Sequence, residues 1–197
     1  MPGTDSSYMW QGFIPQNENP HVHMDSGFLE SANQRPVDSA YPYFIPGNYI
    51  NSRGVSIARN LSRMEQITTG DMKTLQNNYY SVFAEGARNI LLKYVRENDL
   101  DADGKKYLNM VRNWDLNTTA NSTATTVYQT WFDSLEVNIW RDEWAKDSLV
   151  VWSKQLKKDS LTMPYPTEQT LLEWISKDSA FKYVDNVNTP QKETIND

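Results

Sequence analysis

Cysteine is absent from this chain of 197 residues. That absence removes disulfides, thiol catalysis and thiolate metal sites together. It leaves the compartment open. Histidine is nearly absent: His21 and His23 are the only two, which argues against an internal Ser-His-Asp triad. Basic charge is also short, with 19 Lys and Arg against 25 Asp and Glu, a net charge of -6. No basic stripe stands out, so nucleic acid is not an expected partner. No apolar run approaches the roughly 20 residues that cross a bilayer, and no membrane span is expected. The opening Met1-Pro2-Gly3-Thr4-Asp5 is polar and carries no secretory signal.

Aromatic residues, by contrast, are plentiful: 7 Trp and 11 Tyr. Aromatics on this scale fill cores and line pockets for apolar or sugar-like ligands. The length suits one domain or a domain and a half with a real core.

Residues 1–50 are rich in Pro, Asn, Ser and Gly. Pro15, Pro20, Pro36, Pro42 and Pro46 forbid a long helix there. The one strand candidate is Gly27-Phe28-Leu29-Glu30-Ser31-Ala32. Phe13, Ile14, Phe28, Leu29, Tyr41, Tyr43, Phe44 and Ile45 need a surface to pack on, a first hint that the chain is incomplete.

From about residue 52 the pattern is helical. Ile57, Leu61 and Met64 follow i, i+4, i+7. Thr68 or Thr69 caps the next helix, with Asp71 in its first turn. The run Leu75, Tyr79, Val82, Phe83, Ala87, Ile90, Leu91, Tyr94 and Val95 predicts one long helix. A short helix follows through Tyr107, Leu108, Val111 and Trp114. Asn117 to Thr123 is turn-like. Ala124, Val127, Tyr128, Trp131, Leu135, Ile139 and Trp140 predict another long helix. Leu149 to Leu156 suggests one more, and Thr167 caps a helix through Leu171, Leu172, Trp174 and Ile175. Thr189-Pro190-Gln191-Lys192-Glu193 reads as a further helix start; so late in the chain it suggests a truncated product.

Three motifs admit a functional and a structural reading. Asp99-Leu100-Asp101-Ala102-Asp103-Gly104 matches the opening of a calcium loop, but the twelfth position is Met110 rather than a bidentate Glu. The simpler reading is a turn whose aspartates cap the following helix. His21, His23 and Asp25 could share one face of an extended segment and offer metal ligands, yet no third firm ligand is visible, and a surface role is the simpler reading. The Trp residues at 114, 131, 140, 144, 152 and 174 fall mostly on helical apolar faces, where core packing is the default. The sequons at Asn60, Asn117 and Asn121 read as chance in Asn- and Thr-rich sequence.

One ordered set of residues goes further. Trp10-Gln11-Gly12-Phe13-Ile14-Pro15 is followed by Asn19-Pro20, Ser26-Gly27-Phe28-Leu29, Ala32-Asn33, Tyr41-Pro42, Arg53 and Ile57. This order closely resembles the penicillin acylase family, which pairs W-x-G-x-x-P with S-G-[FY]-[IL]-x-x-[AW]-N, then Y-P, then R-x-x-x-I. Met72 and Gln76 fit the family's D-M-x-x-x-Q helix. Leu108 to Asp115 resembles its L-x-x-W-D turn, and Thr189 to Thr194 its T-x-x-x-E-T stretch. One departure is local: His23-Met24 precede Asp25-Ser26-Gly27 where the family usually has Asn-Pro before Glu-Ser-Gly.

The resemblance implies an internal piece of the β-chain of an N-terminal-nucleophile hydrolase. Its fold would be mainly α, a helical appendage (51–197) of an αββα catalytic domain, with 1–50 as the irregular strand-and-loop tail end of that domain. The family exposes a Ser by self-cleavage, and that Ser attacks an amide carbonyl with its own α-amine as base. Such an amine has an ordinary pKa near roughly 8, so a useful fraction is neutral at pH 7. By motif position, Asn33 is implied as the oxyanion donor, and Arg53 as the support of the nucleophile's amine. From composition alone they are a turn Asn and a helix-start Arg. The Ser, the backbone oxyanion donor and most of the acyl pocket would lie upstream, in other segments of the same precursor. The substrate implied is a small N-acyl compound, such as a β-lactam side-chain amide or an acyl-homoserine lactone. No cofactor is implied in this piece; a structural calcium would belong to the full-length parent. The family implies a periplasmic or other extracytoplasmic location. The competing reading is a helical glycan- or peptide-binding module of a bacterial cell-surface uptake system. It would suit the Trp, Tyr and Asn content, and it predicts saturable oligosaccharide binding through exposed Trp.

Overall fold

The computed structural model describes residues 4–9, 12–21, 27–47, 49, 51–146, 150–153, 158–161 and 166–196. Side chains at 143–146 and in the two strands are outside the description. The chain forms two compact units, 1–78 and 79–197. The fold is mainly α, as the helical periodicities imply. Among the described residues there are six α-helices and two short strands.

Unit 1 begins with irregular chain carrying two 3-10 turns, Ser6–Tyr8 and Gln16–Glu18, as the proline content requires. The strand expected over 27–32 does not form. A strand exists only through a pairing neighbour, and the Ala32 N–H that a ladder would use donates instead to the Gln34 side chain at 2.6 Å. Helix α1 spans Asn51–Leu61 and α2 spans Thr69–Gln76. Thr68 closes a capping box with Asp71 at the start of α2, which satisfies two orphan donors at once.

The long helix expected from Leu75 to Val95 is two helices. Helix α2 ends at Gln76, and α3 runs over Val82–Leu92. Ser81 is the N-cap of α3, its side chain accepting from Ala84 N. The residues between them pair elsewhere: Ser81 N donates to Leu116 O at 2.9 Å, and Thr118 N to Tyr79 O at 2.9 Å. An apolar register cannot carry a helix through Asn77-Asn78 when a cap and a backbone bridge compete for it.

In unit 2, α4 spans Ala102–Arg112, α5 Thr123–Lys146 and α6 Glu168–Lys177. The expected caps at Asp101 and Thr167 are present. Of the helix expected over 149–156, the described part is extended instead: β1 (Val150–Ser153) pairs antiparallel with β2 (Lys158–Leu161), Val150 opposite Leu161, and the rest lies outside the described residues. Short apolar runs do not distinguish helix from strand by period alone, and the β-branched pair Val150-Val151 favours the strand. Residues 189–193 form no helix either. Thr189 Oγ1 donates to Glu193 Oε1 at 2.6 Å, and Asn186 N donates to the other Glu193 oxygen at 2.9 Å, so the capping chemistry closes a loop.

The core of unit 2 joins α3, α4, α5, α6 and the turn after α4. Ala87, Phe132, Trp140, Leu171 and Ile175 are almost fully buried. Phe132 was not among the residues that periodicity assigned to the α5 face. Trp140 meets Tyr183 with ring centroids 5.2 Å apart and Trp174 at 5.8 Å, within the range of favourable aromatic pairs. Trp114 donates Nε1–H to Asn117 O at 3.1 Å. These tryptophans are core residues; Trp144 and Trp152 lie outside the described side chains. A cavity of about 180 Å³ opens beside α4 and α5, lined by Val95, Tyr107 and Trp131 among others.

Half-buried Glu136 on α5 is pushed up to about 7, chiefly by desolvation and then by the nearby Glu168 and Asp133 charges. A carboxyl with a raised native pKa stabilises the fold when protonated. That contribution is complete below the ordinary Glu range and is lost as pH rises through about 7. Glu136→Gln is therefore expected to raise the melting temperature of the chain at pH 8 and leave it nearly unchanged at pH 4, in thermal melts followed by circular dichroism. An equal shift at both pH values would contradict the assignment.

Candidate functional site

The site is built in unit 1 from the loop 30–35 and the first turn of α1. Asn33 stands at φ 60, in the left-handed region, and is exposed. Few L-residues enter that region; Asn is among those that do, because its short polar side chain tolerates it. Ala32 beside it is buried at 4 % exposure. The loop thus anchors one residue inward and presents the next to solvent.

Gln34 ties the loop to itself. Its Oε1 accepts from Ala32 N at 2.6 Å, and its Nε2 donates to Glu30 Oε1 at 2.7 Å. The same side chain lies against α1. A Cβ placed on Gly54 would stand 3.1 Å from Gln34 Cδ and 3.2 Å from Gln34 Cβ, and Gly54 is buried. Arg35 N donates to Asn51 Oδ1 at 3.3 Å, a second tie between the loop and the helix start. Arg53, exposed, is the third residue of α1, between these two contact points. The structure therefore joins the segment that carries Asn33 to the helical turn that carries Arg53, through residues next to each.

The Tyr41-Pro42 stretch is held from the other side. Tyr41 O–H donates to Glu18 O at 2.8 Å, and Tyr43 O–H donates to the Glu18 carboxylate. That hydrogen bond to a carboxylate raises the Tyr43 phenol above its ordinary range. The two rings pack edge to face at 5.7 Å.

Of the two metal motifs, only the aspartate loop lies wholly within the described residues. Asp101 Oδ1 accepts from Gly104 N at 2.7 Å as the α4 N-cap, while Asp99 ends a 3-10 turn. His21 is exposed, and His23 and Asp25 lie outside the described residues. Among the described residues no three His, Asp or Glu side chains are grouped to hold a metal ion, and no helix is long and apolar enough to cross a membrane.

Sequence reasoning selected Asn33 and Arg53 but missed Gln34 and Gly54. The one signal available was a glycine directly after the arginine inside a helix, where glycine lowers helix stability by about 1 kcal/mol against alanine. Such a residue needs a packing reason, and Gln34 provides it.

No curated protein and no solved structure matches the chain. The family model for penicillin amidase matches residues 1–197, from first residue to last. That match extends over the loop with Asn33, the turn with Arg53 and the helices that follow in sequence, and the chain accordingly belongs to the penicillin amidase family.

Proposed function

We propose that this chain is an internal β-chain segment of an amidohydrolase that cleaves the amide bond of a small N-acyl substrate, and that Asn33 donates to the oxyanion formed during cleavage. The observation that carries this reading is the docking of the Asn33 loop on the first turn of α1, in a chain of the penicillin amidase family. Residues 1–50 belong to the tail end of an αββα catalytic domain, and 51–197 form its helical appendage. The nucleophilic Ser comes from an upstream segment of the same precursor. Exposed Leu29 and Phe44, at 57 % and 82 %, support a packing surface of that kind.

The chemistry then runs in two halves. The Ser hydroxyl adds to the acyl carbonyl and gives its proton to the α-amine of the same residue. The carbonyl oxygen becomes an oxyanion, which the Asn33 Nδ2–H meets as a hydrogen-bond donor. Collapse expels the substrate amine, which takes the proton, and leaves an acyl-enzyme. Water hydrolyses that ester through a second oxyanion in the same place. Arg53 carries a permanent cation beside this site and keeps the α-amine in its neutral, basic form while ordering its hydrogen bonds. Acyl groups of β-lactam side chains and of acyl-homoserine lactones are the substrate class, and the compartment is extracytoplasmic.

An oxyanion donor without a nucleophile cannot form an acyl-enzyme. The purified 197-residue chain is expected to show no turnover of a chromogenic phenylacetyl amide or a longer acyl anilide, while the full-length gene product hydrolyses one of them. Steady turnover by the chain alone would refute the reading. Saturable binding of oligosaccharides by the chain, with no amidase activity in the full-length protein, would favour a binding module instead.

A further inference from the structure

We infer that Gln34 is a positioning residue for the amide hydrolysis, a clasp that holds Asn33 in its left-handed conformation and seats its loop beside Arg53; this rests on the amidohydrolase reading above. Three contacts of one side chain carry the inference. Its Oε1 takes the Ala32 N–H at 2.6 Å and its Nε2–H goes to Glu30 Oε1 at 2.7 Å, so the backbone on the N-terminal side of Asn33 is bonded to the residue that follows it. Its Cβ and its amide group fill the space that a side chain at position 54 would need, with Cβ, Cδ and Oε1 at 3.2, 3.1 and 3.2 Å from the Gly54 Cβ position. Glu30 Oε2 is buried with no hydrogen-bond partner among the described residues, so the Gln34 amide is a donor that this carboxylate cannot readily replace from water. Asn tolerates the left-handed conformation but is not confined to it, so its surroundings decide whether Asn33 stays there. Gln34 supplies that determination on the Asn33 side and the docking contact on the Arg53 side. An oxyanion donor displaced by about 1 Å can lose on the order of a hundredfold in rate.

The test uses the full-length protein with a chromogenic amide substrate and four variants: Gln34→Met, Asn33→Gly, the two combined, and the exchange E30Q/Q34E. Gln34→Met keeps the length and removes both hydrogen bonds. It is expected to lower kcat by about ten- to a hundredfold with KM within about twofold. In the Asn33→Gly background the same change is expected to cost less than about twofold, because the clasp acts through Asn33. The exchange reverses donor and acceptor between positions 30 and 34, leaves a carboxylate oxygen to accept from Ala32 N, and is expected to recover kcat to within about threefold of the parent. A full kcat for Gln34→Met overturns the inference. So does an equal loss in both backgrounds, the mark of general destabilisation, or an exchange no better than Gln34→Met. If Asn33→Gly lowers kcat while Gln34→Met does not, the clasp alone is wrong. If Asn33→Gly keeps full kcat, the oxyanion reading fails and the clasp with it.

Discussion

Replacing Asn33 by glycine in the full-length protein is expected to lower kcat for an amide substrate by about a hundred- to a thousandfold, the usual cost of removing one oxyanion donor. Glycine is the informative choice. Asn33 sits at φ 60, where an alanine would add backbone strain of roughly 1–2 kcal/mol and confuse a catalytic loss with a structural one. Glycine accepts that conformation freely, so the amide is removed and the turn is kept. KM is expected to change little, because the donor engages charge that develops after the substrate binds. Asn33→Asp is expected to be at least as damaging, since a carboxylate accepts where a donor is needed and repels the oxyanion. Melting curves of both variants check that the loop survives. A kcat within about threefold of the parent for Asn33→Gly would remove Asn33 from the oxyanion site.

The largest stability effect belongs to Trp140. Its side chain is 1 % exposed and packs on the Trp174 and Tyr183 rings at 5.8 and 5.2 Å. Trp140→Ala is expected to destabilise the 79–197 unit by about 3–5 kcal/mol, from lost transfer free energy and from the cavity left behind. Trp174 and Tyr183 keep their own stacking at 5.7 Å but lose the Trp140 ring, so the near-ultraviolet circular dichroism of the native state should fall. Phe44→Ala makes the contrast. Phe44 is 82 % exposed, and its removal from the isolated chain is expected to cost no more than about 0.5 kcal/mol. Urea titrations of the two variants give both numbers. Similar losses for the two would mean that the aromatic cluster around Trp140 is not the core of its unit.

Three helix starts were legible in the sequence from their side-chain caps, while the Ser81 cap of α3 was hidden inside a continuous apolar register. Thr68 with Asp71, Asp101 with Gly104 and Thr167 with Thr170 each bond as their spacing implies, because a cap is a local event within one turn. The apolar faces of α4, α5 and α6 were legible for the same reason. What failed was non-local. The break between α2 and α3 depends on Tyr79 and Ser81 meeting Thr118 and Leu116, more than thirty residues on. The pairing of β1 with β2 depends on a partner strand rather than on a period. The capping chemistry at Thr189 was real, but Asp185 and Asn186 claimed Glu193 for a loop. Asn33 and Arg53 came from motif order alone, with no physical signal that their segments meet. The Gln34–Gly54 contact that links their segments spans twenty positions, and sequence spacing carries no trace of it.

The competing glycan-binding reading drew on the abundance of Trp; Trp114 and Trp140 are spent on the core at 6 % and 1 % exposure, while Trp131 lines the open cavity with Tyr107. A sugar platform needs exposed aromatic faces.

The most direct measurement is a crystal structure of the full-length protein with its nucleophile trapped by a boronic acid, whose tetrahedral boronate oxygen stands where the oxyanion forms. The expected result places Asn33 Nδ2 about 2.7–3.1 Å from that oxygen, with the loop still docked on the first turn of α1. An adduct oxygen met wholly by other donors, with the Asn33 amide turned away from it, would contradict the assignment.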